Sequence, residues 1–381
     1  VQVPFYRHSL SAEDSQNIAQ VLGSPVLTSG EVCKQVESQL STFFQVPNAK
    51  LVNSWTNGAV ATLLALDIGP GDEVIVPAMT FIATANVVEL VGAKPVFVDV
   101  DPETLLIRQE NILSALTENT KAIIPVHLYG QMCDIKSLRE ALKHRAPIYI
   151  IEDSAHTFEA SFGGSKSGMY SDAAIFSFYA TKNITCGEGG AIITKNDQLN
   201  EKIKQSVLHG MSAGASERFK QGQYRHWGME RLGTKANLPD LLAALLPGQI
   251  TEVYKKLELR ENVAKIYDDF FIDTPIRTPK VQKNIVHSRH LYPIGVDPDK
   301  RDQVLRILGE AGIGATVNYR AVPLMNFYQQ KYNFRKGQFP VSEIWGEQTI
   351  SLPLFPSLSE SEQTYILETF EEKILPKLEG K

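Results

Sequence analysis

From about residue 50 onward, short apolar runs alternate with segments of helical period, and this alternation restricts the chain to few folds. The runs are Val74-Ile-Val-Pro77, Pro95-Val-Phe-Val-Asp-Val100, Ala122-Ile-Ile-Pro-Val126, Ile148-Tyr-Ile-Ile-Glu-Asp153, Ala173-Ala-Ile-Phe-Ser-Phe178 and Gly190-Ala-Ile-Ile-Thr194. Residues 80–90 and 136–143 between them carry helix periodicity. Nearly continuous apolar strands separated by helices suit a sheet buried on both faces, which is the habit of parallel sheets. The pattern therefore predicts an α/β fold with a predominantly parallel central sheet. Ligands collect beyond the carboxyl ends of such strands, so polar residues just after the runs carry the most information.

Past residue 250 the rhythm changes. The sequence predicts a charged helix over 251–270, strands over 290–296 and 315–319, and helices over 302–311 and 360–377. This divides the chain into a large domain of residues 26–250 and a smaller C-terminal α+β domain of residues 251–381. The N-terminal segment, 1–25, is expected to pack beside the smaller domain. A length of 381 residues with 43% hydrophobic content can bury such cores unaided. The formal net charge of −5 gives no nucleic-acid footprint. Cys33, Cys133 and Cys186 are odd in number and widely spaced, so neither a disulfide framework nor a zinc site is expected. No apolar run reaches the roughly 18 residues of a membrane span, and the start lacks a signal-peptide core. A cytoplasmic protein is expected, with no metal, membrane or nucleic-acid partner.

Four constellations could carry chemistry. Asn53-Ser-Trp-Thr-Asn-Gly58 precedes the apolar helix expected over Ala59–Leu66, where free N–H groups can hold phosphate or where the segment merely caps the helix. Asp153, after the apolar residues Ile148–Ile151, and His156 just beyond it form the second, where an acid can pair with a cationic ring nitrogen or serve as a loop cap. Lys182 sits in Phe176-Ser-Phe-Tyr-Ala-Thr-Lys-Asn-Ile-Thr-Cys-Gly-Glu-Gly-Gly190, among aromatic, small and hydroxylic neighbours. Such a lysine can lose solvation and become a nucleophilic amine, although a lone lysine is more commonly a solvated surface group. Ser177, five residues earlier, could donate to the same phosphate. Gly233-Thr-Lys-Ala-Asn-Leu-Pro-Asp240 could bind an anion through Lys235. Phosphate loop, ring-nitrogen acid and amine in that order are the parts a pyridoxal-phosphate enzyme needs.

The run Ser177–Gly190 resembles the lysine motif of the DegT/DnrJ/EryC1/StrS sugar-nucleotide aminotransferases. Gly69-Pro-Gly-Asp-Glu-Val-Ile-Val-Pro77, Thr80-Phe-Ile-Ala-Thr-Ala-Asn86, Lys121-Ala-Ile-Ile-Pro-Val-His-Leu-Tyr-Gly130 and Ser351-Leu-Pro-Leu-Phe-Pro356 resemble other motifs of that family, in the family's order. The resemblance runs from Leu27 onward. It implies the fold type I, aspartate-aminotransferase-like architecture, pyridoxal phosphate as cofactor with pyridoxamine phosphate between half-reactions, and a homodimer with active sites at the interface.

Carried over residue by residue, it implies that Lys182 forms the Schiff base and then shuttles protons. Asp153 would pair with the pyridinium nitrogen and His156 would approach the phenolic oxygen. Phe81 would stack on the ring, with Ala155 against its other face. Trp55, Thr56 and Ser177 would hold the phosphate, Trp55 through its backbone, and Lys235 of the partner subunit would reach the same phosphate or the substrate. Thr28, Asn237, Tyr319 and Arg320 are the expected remaining substrate contacts. The Lys235-x-Asn237 pattern replaces the commoner Asn-x-Arg and resembles the branch making 4-amino-arabinose nucleotides and some spore-coat sugars. Asn318 and Pro323 stand where many members have histidines. The implied reaction moves an amino group from glutamate to a nucleotide-linked, UDP-type 4-keto-sugar. A C3-keto-sugar reaction and a non-catalytic binding relative are the alternatives. The sugar dehydratase type carries histidine in place of Lys182, and no GxGxxG follows the first strand as an oxidoreductase would require.

Overall fold

The computed structural model describes residues 1–145, 147–212 and 226–379. Its centre is a seven-stranded sheet built from β1 (Asn48–Val52), β2 (Glu73–Pro77), β3 (Lys94–Val98), β4 (Thr120–Ile123), β5 (Tyr149–Asp153), β7 (Ala173–Ser177) and β8 (Gly190–Thr194), in the order β1-β8-β7-β5-β4-β2-β3. A short pair, β6 (Ser161–Phe162) with β9 (Ile285–Val286), lies apart from it. From β7 to β3 all neighbours are parallel, and β8 alone runs against both of its neighbours. All five residues of β2 and of β8 are buried, as a sheet covered on both faces requires.

One face is covered by the helices Trp55–Ala65 and Ala83–Leu90, whose Ala59, Leu63, Ala85 and Val88 join the largest apolar cluster. On the other, the helix Glu31–Phe44 buries Cys33, Val36, Leu40 and Phe44, a three- and four-residue spacing that presents one stripe. A second cluster gathers around the antiparallel pair β10 (Tyr292–Gly295) and β11 (Thr349–Leu352), with the helices Pro298–Glu310 and Glu360–Thr369. The helix Pro247–Phe271 serves both regions. Ile250 and Val253 pack among large-sheet residues, whereas Val263, Tyr267 and Phe271 pack among those of β10 and β11. Residues 1–25 divide similarly: Val3 packs in the second cluster, while Leu10 and Ile18 lie against the first region.

Three sequence expectations are corrected. Residues 315–319 form no strand; one bridge, Thr316 to Ser351, is made, and a cis Asn318–Tyr319 peptide follows. The Asn318 carbonyl there accepts from the side chains of Tyr129 and Thr349 and not from a ladder N–H. The helix expected over 80–90 begins at Ala83, because the Thr80 hydroxyl bonds to Thr84, 2.9 Å away, in the turn that precedes it. The closing helix is interrupted by a π turn over Phe370–Ile374, one turn before Pro376, whose ring would clash with a regular helical carbonyl. Among the described residues no helix is long and apolar enough to cross a membrane.

Candidate active site

The carboxyl ends of β1, β2, β4, β5 and β7 open onto one cavity of about 560 Å³. Each strand delivers a different part. After β1, Ser54 takes an extended conformation and its hydroxyl accepts the N–H of Asn57 at 3.1 Å, so the helix starts at Trp55. Trp55 and Thr56 occupy its first turn, where N–H groups lack helical acceptors and the helix dipole is positive. Both line the cavity, as does Ser177 at the end of β7. The buried indole Nε1 of Trp55 has no hydrogen-bond partner among the described residues.

Asp153 ends β5 and is buried. One carboxylate oxygen accepts from Thr84 Oγ1 at 2.9 Å and the other from the Ala155 N–H at 3.2 Å. Burial pushes its pKa up, and those two bonds with the Lys182 charge pull it back. Acceptor capacity remains on both oxygens, which suits a cationic N–H donor.

Lys182 sits in the loop between β7 and β8, held by Lys182 N–H to Tyr179 O at 2.9 Å and Cys186 N–H to Phe178 O at 3.0 Å. Loss of solvation draws the amine down to about 8, against the raising pull of Asp153. Near neutral pH an appreciable fraction is then the nucleophilic free amine.

His156 receives the Tyr129 N–H on Nδ1 at 3.2 Å, so its own proton is on Nε2, 3.3 Å from the Tyr319 hydroxyl. Burial first and Lys182 second hold it neutral, well below the usual histidine range. The His156 and Tyr319 rings are nearly parallel, at 13° and 6.1 Å between centroids. Phe81, half exposed, stands 5.8 Å from Tyr319 across the opening, and Ala155 lines the wall.

The structure thus brings Trp55, Thr56, Phe81, Asp153, Ala155, His156, Ser177, Lys182 and Tyr319 around one space. It does not bring Thr28, Lys235, Asn237 or Arg320 to that space within one chain. Lys235 is exposed, Asn237 bonds to Ser29 at 2.7 Å and to Thr28 at 3.4 Å, and Arg320 faces outward. Sequence reasoning missed Thr84, Asn183 and His290, the last 3.4 Å from the Lys182 amine. The i, i+4 threonines Thr80 and Thr84 just after β2 were a legible signal. A lone histidine in an apolar run gives none.

The donor set fits pyridoxal phosphate: a helix start and a hydroxyl for the phosphate, a buried carboxylate for the ring nitrogen, and an amine for the aldehyde. Known proteins agree with that fit. The spore coat polysaccharide biosynthesis protein SpsC of Bacillus subtilis is 34% identical over 372 residues, covering 96% of this chain and 95% of SpsC. Spr1654 of Streptococcus pneumoniae, in its PMP form, superposes with a TM-score of 0.92 at 31% identity, covering 99% of this chain and all of that one. It has also been solved in a PLP form. PseC of Helicobacter pylori, an aminotransferase involved in the biosynthesis of pseudoaminic acid, gives a TM-score of 0.88 at 27% identity with both chains fully covered. These neighbours share the fold type I architecture, and pyridoxal phosphate is the cofactor that goes with it. The sequence pattern of one family matches residues 8–371, and the chain belongs to it: the DegT/DnrJ/EryC1/StrS aminotransferase family.

Proposed function

We propose that this protein transfers an amino group from glutamate to the C4 keto group of a nucleotide-linked sugar, of UDP type, in the cytoplasm, for surface polysaccharide or glycoconjugate synthesis. The observation that carries this reading is the Lys182 amine, lowered to about 8, beside the buried carboxylate of Asp153 in a cavity large enough for a cofactor and part of a sugar. The likeness to SpsC and PseC supports a sugar as the acceptor.

Bound in this cavity, pyridoxal phosphate would supply an aldehyde that takes up amines and a ring that accepts electrons. The chain's residues do the rest. Asp153 keeps a proton on the ring nitrogen, and Thr84 and Ala155 orient the carboxylate that does so. Lys182 Nζ takes the proton from glutamate's α-carbon and returns one to the sugar carbon, general acid–base help worth about 10²–10⁴-fold. Neutral His156 offers its Nε2 proton to an oxygen without bringing a second charge beside Lys182. Trp55, Thr56 and Ser177 anchor the phosphate. The assembly is a homodimer in which Lys235 of the partner subunit completes the anion site. Thr28, Asn237, Tyr319 and Arg320 contact the sugar nucleotide.

The test is the visible spectrum of the purified protein with added pyridoxal phosphate, before and after glutamate. A band that glutamate bleaches in wild type, absent in Lys182→Ala, supports the transaminase. Keto-sugar nucleotides are then screened for restoring it, and NMR of the product locates the amine. A folded wild-type protein with no such band would overturn the reading, and an amine at C3 would overturn the C4 assignment.

A further inference from the structure

Behind Lys182 runs a buried polar chain that the reaction outlined above does not use. Glu159 and Arg260 form an ion pair with almost no exposure on either side chain. Asn183 Nδ2 donates to Glu159 Oε1 at 2.8 Å and to the Ser288 carbonyl at 2.9 Å. The Arg260 Nε–H reaches the same Ser288 carbonyl at 3.2 Å. Both partners of Asn183 Nδ2 are pure acceptors, so the amide cannot be turned round without losing two bonds. Its Oδ1 therefore faces His290 Nδ1, 3.1 Å away, and as an acceptor it demands a proton there. A neutral imidazole protonated on Nδ1 has its lone pair on Nε2, and that atom is 3.4 Å from Lys182 Nζ.

We infer that Asn183 and His290 are positioning residues: the buried Glu159–Asn183 chain fixes the His290 tautomer so that its Nε2 lone pair receives an N–H of Lys182 and aims the amine. When a substrate amine takes the place of Lys182, the freed side chain needs a defined rest position near the reacting carbon, and His290 Nε2 supplies it. Apolar burial alone would leave the amine free to swing on its four-carbon stem. The other groups facing Lys182 are Asp153, which is anionic, and His156, which is neutral; Arg260 acts on His290 from behind. Burial, then Lys182, His156 and Arg260, hold His290 below the usual range, in keeping with a neutral acceptor.

The experiment is competitive acetylation of Lys182 in the full-length protein freed of cofactor, followed by mass spectrometry across pH. It reads the amine midpoint without turnover, so it stands even if the proposed substrate is wrong. An acceptor bond favours the protonated amine. In His290→Leu the midpoint is expected to fall by about one pH unit, and in His290→Gln, whose amide oxygen can accept, to return most of the way. Asn183→Ala frees the tautomer and should give an intermediate midpoint. In the loaded enzyme the same variants should lower kcat with little change in KM for glutamate. An unchanged midpoint in His290→Leu overturns the proposal. So does an equal fall in the Leu and Gln variants, which would make the effect one of packing, or an unchanged midpoint in Asn183→Ala, which would remove the relay. Circular dichroism of each variant confirms folding, and should His290→Leu not fold, the comparison of His290→Gln with Asn183→Ala decides by the same criteria.

Discussion

Thr84 Oγ1 lies 2.9 Å from Asp153 Oδ2, reaching from the helix after β2 to the end of β5. The bond opposes the burial that raises the acid's pKa, so it favours the ionised form a ring nitrogen needs. Thr84→Val keeps the shape and removes the donor. Pyridoxal phosphate should bind about ten- to a hundredfold more weakly, the equivalent of one hydrogen bond to a charged group. Fluorescence titration measures this, and unchanged affinity would contradict the role given to Thr84.

Lys182 predicts a pH-dependent stability. Its amine is at about 8 when folded and 10.5 for an ordinary solvated lysine. Below pH 8 the folded state bears the full penalty of a desolvated charge, and the penalty disappears as pH climbs toward 10.5. Lys182→Met should therefore stabilise the cofactor-free protein by on the order of 3 kcal/mol at pH 7 and by little at pH 10.5. Urea unfolding at the two pH values checks the sign. Equal differences at both would mean the amine is not desolvated.

Gly190 begins β8 against the phosphate-helix start. A Cβ there would come within 2.5 Å of Phe176 O and 3.0 Å of Trp55 N. Gly190→Ala should cost about 1–3 kcal/mol of stability, as overpacking does, and displace the first turn. Cofactor affinity should fall with it, whereas a change in stability alone would separate the turn from phosphate binding.

His127 and Glu152 form a buried pair directly behind Asp153, with Nε2 to Oε2 at 2.6 Å. Cys133 N–H occupies His127 Nδ1 at 2.9 Å, so the shared proton belongs to Nε2. Glu152 also accepts from Gly168 N–H at 2.7 Å and from Ser171. His127→Phe strands a buried carboxylate and should destabilise by about 3–5 kcal/mol. The double variant with Glu152→Gln should recover part of that, read from denaturant midpoints.

The proposed shared site gives a mixing test. Lys182→Ala and Lys235→Ala proteins are each expected to lose activity. Dissociated and reassociated together, hybrids would carry both lesions in one site and none in the other, restoring up to about a quarter of wild-type turnover. No recovery from a mixture shown to exchange subunits would rule out a contribution of Lys235 across the interface.

Much of this site was legible because its parts follow strands. Asp153 and Ser177 close apolar strands and Lys182 lies in the loop that follows one, so the buried-strand pattern pointed to all three. The predominantly parallel sheet was similarly readable from runs such as Val74–Pro77, whereas the reversed direction of β8 was not. Nor was β1 legible, because Asn48 and Lys50 break the apolar run of Asn48-Ala-Lys-Leu-Val52 at the edge of the sheet. Residues 315–319 misled because alternating side chains suggest a ladder, while the backbone there is claimed by Tyr129 and Thr349. His290 and Asn183 were invisible for a different reason. Their contact spans 107 positions, and only the fold makes them neighbours.

The helix Pro247–Phe271 is one unbroken rod with its two ends set in different apolar clusters. Neither cluster can loosen without pulling on the other, so loss of one exposes half of the rod and unsettles its partner. The chain is thereby tied into a single cooperative melting unit, and a cut near residue 260 would be felt on both sides of the active-site opening.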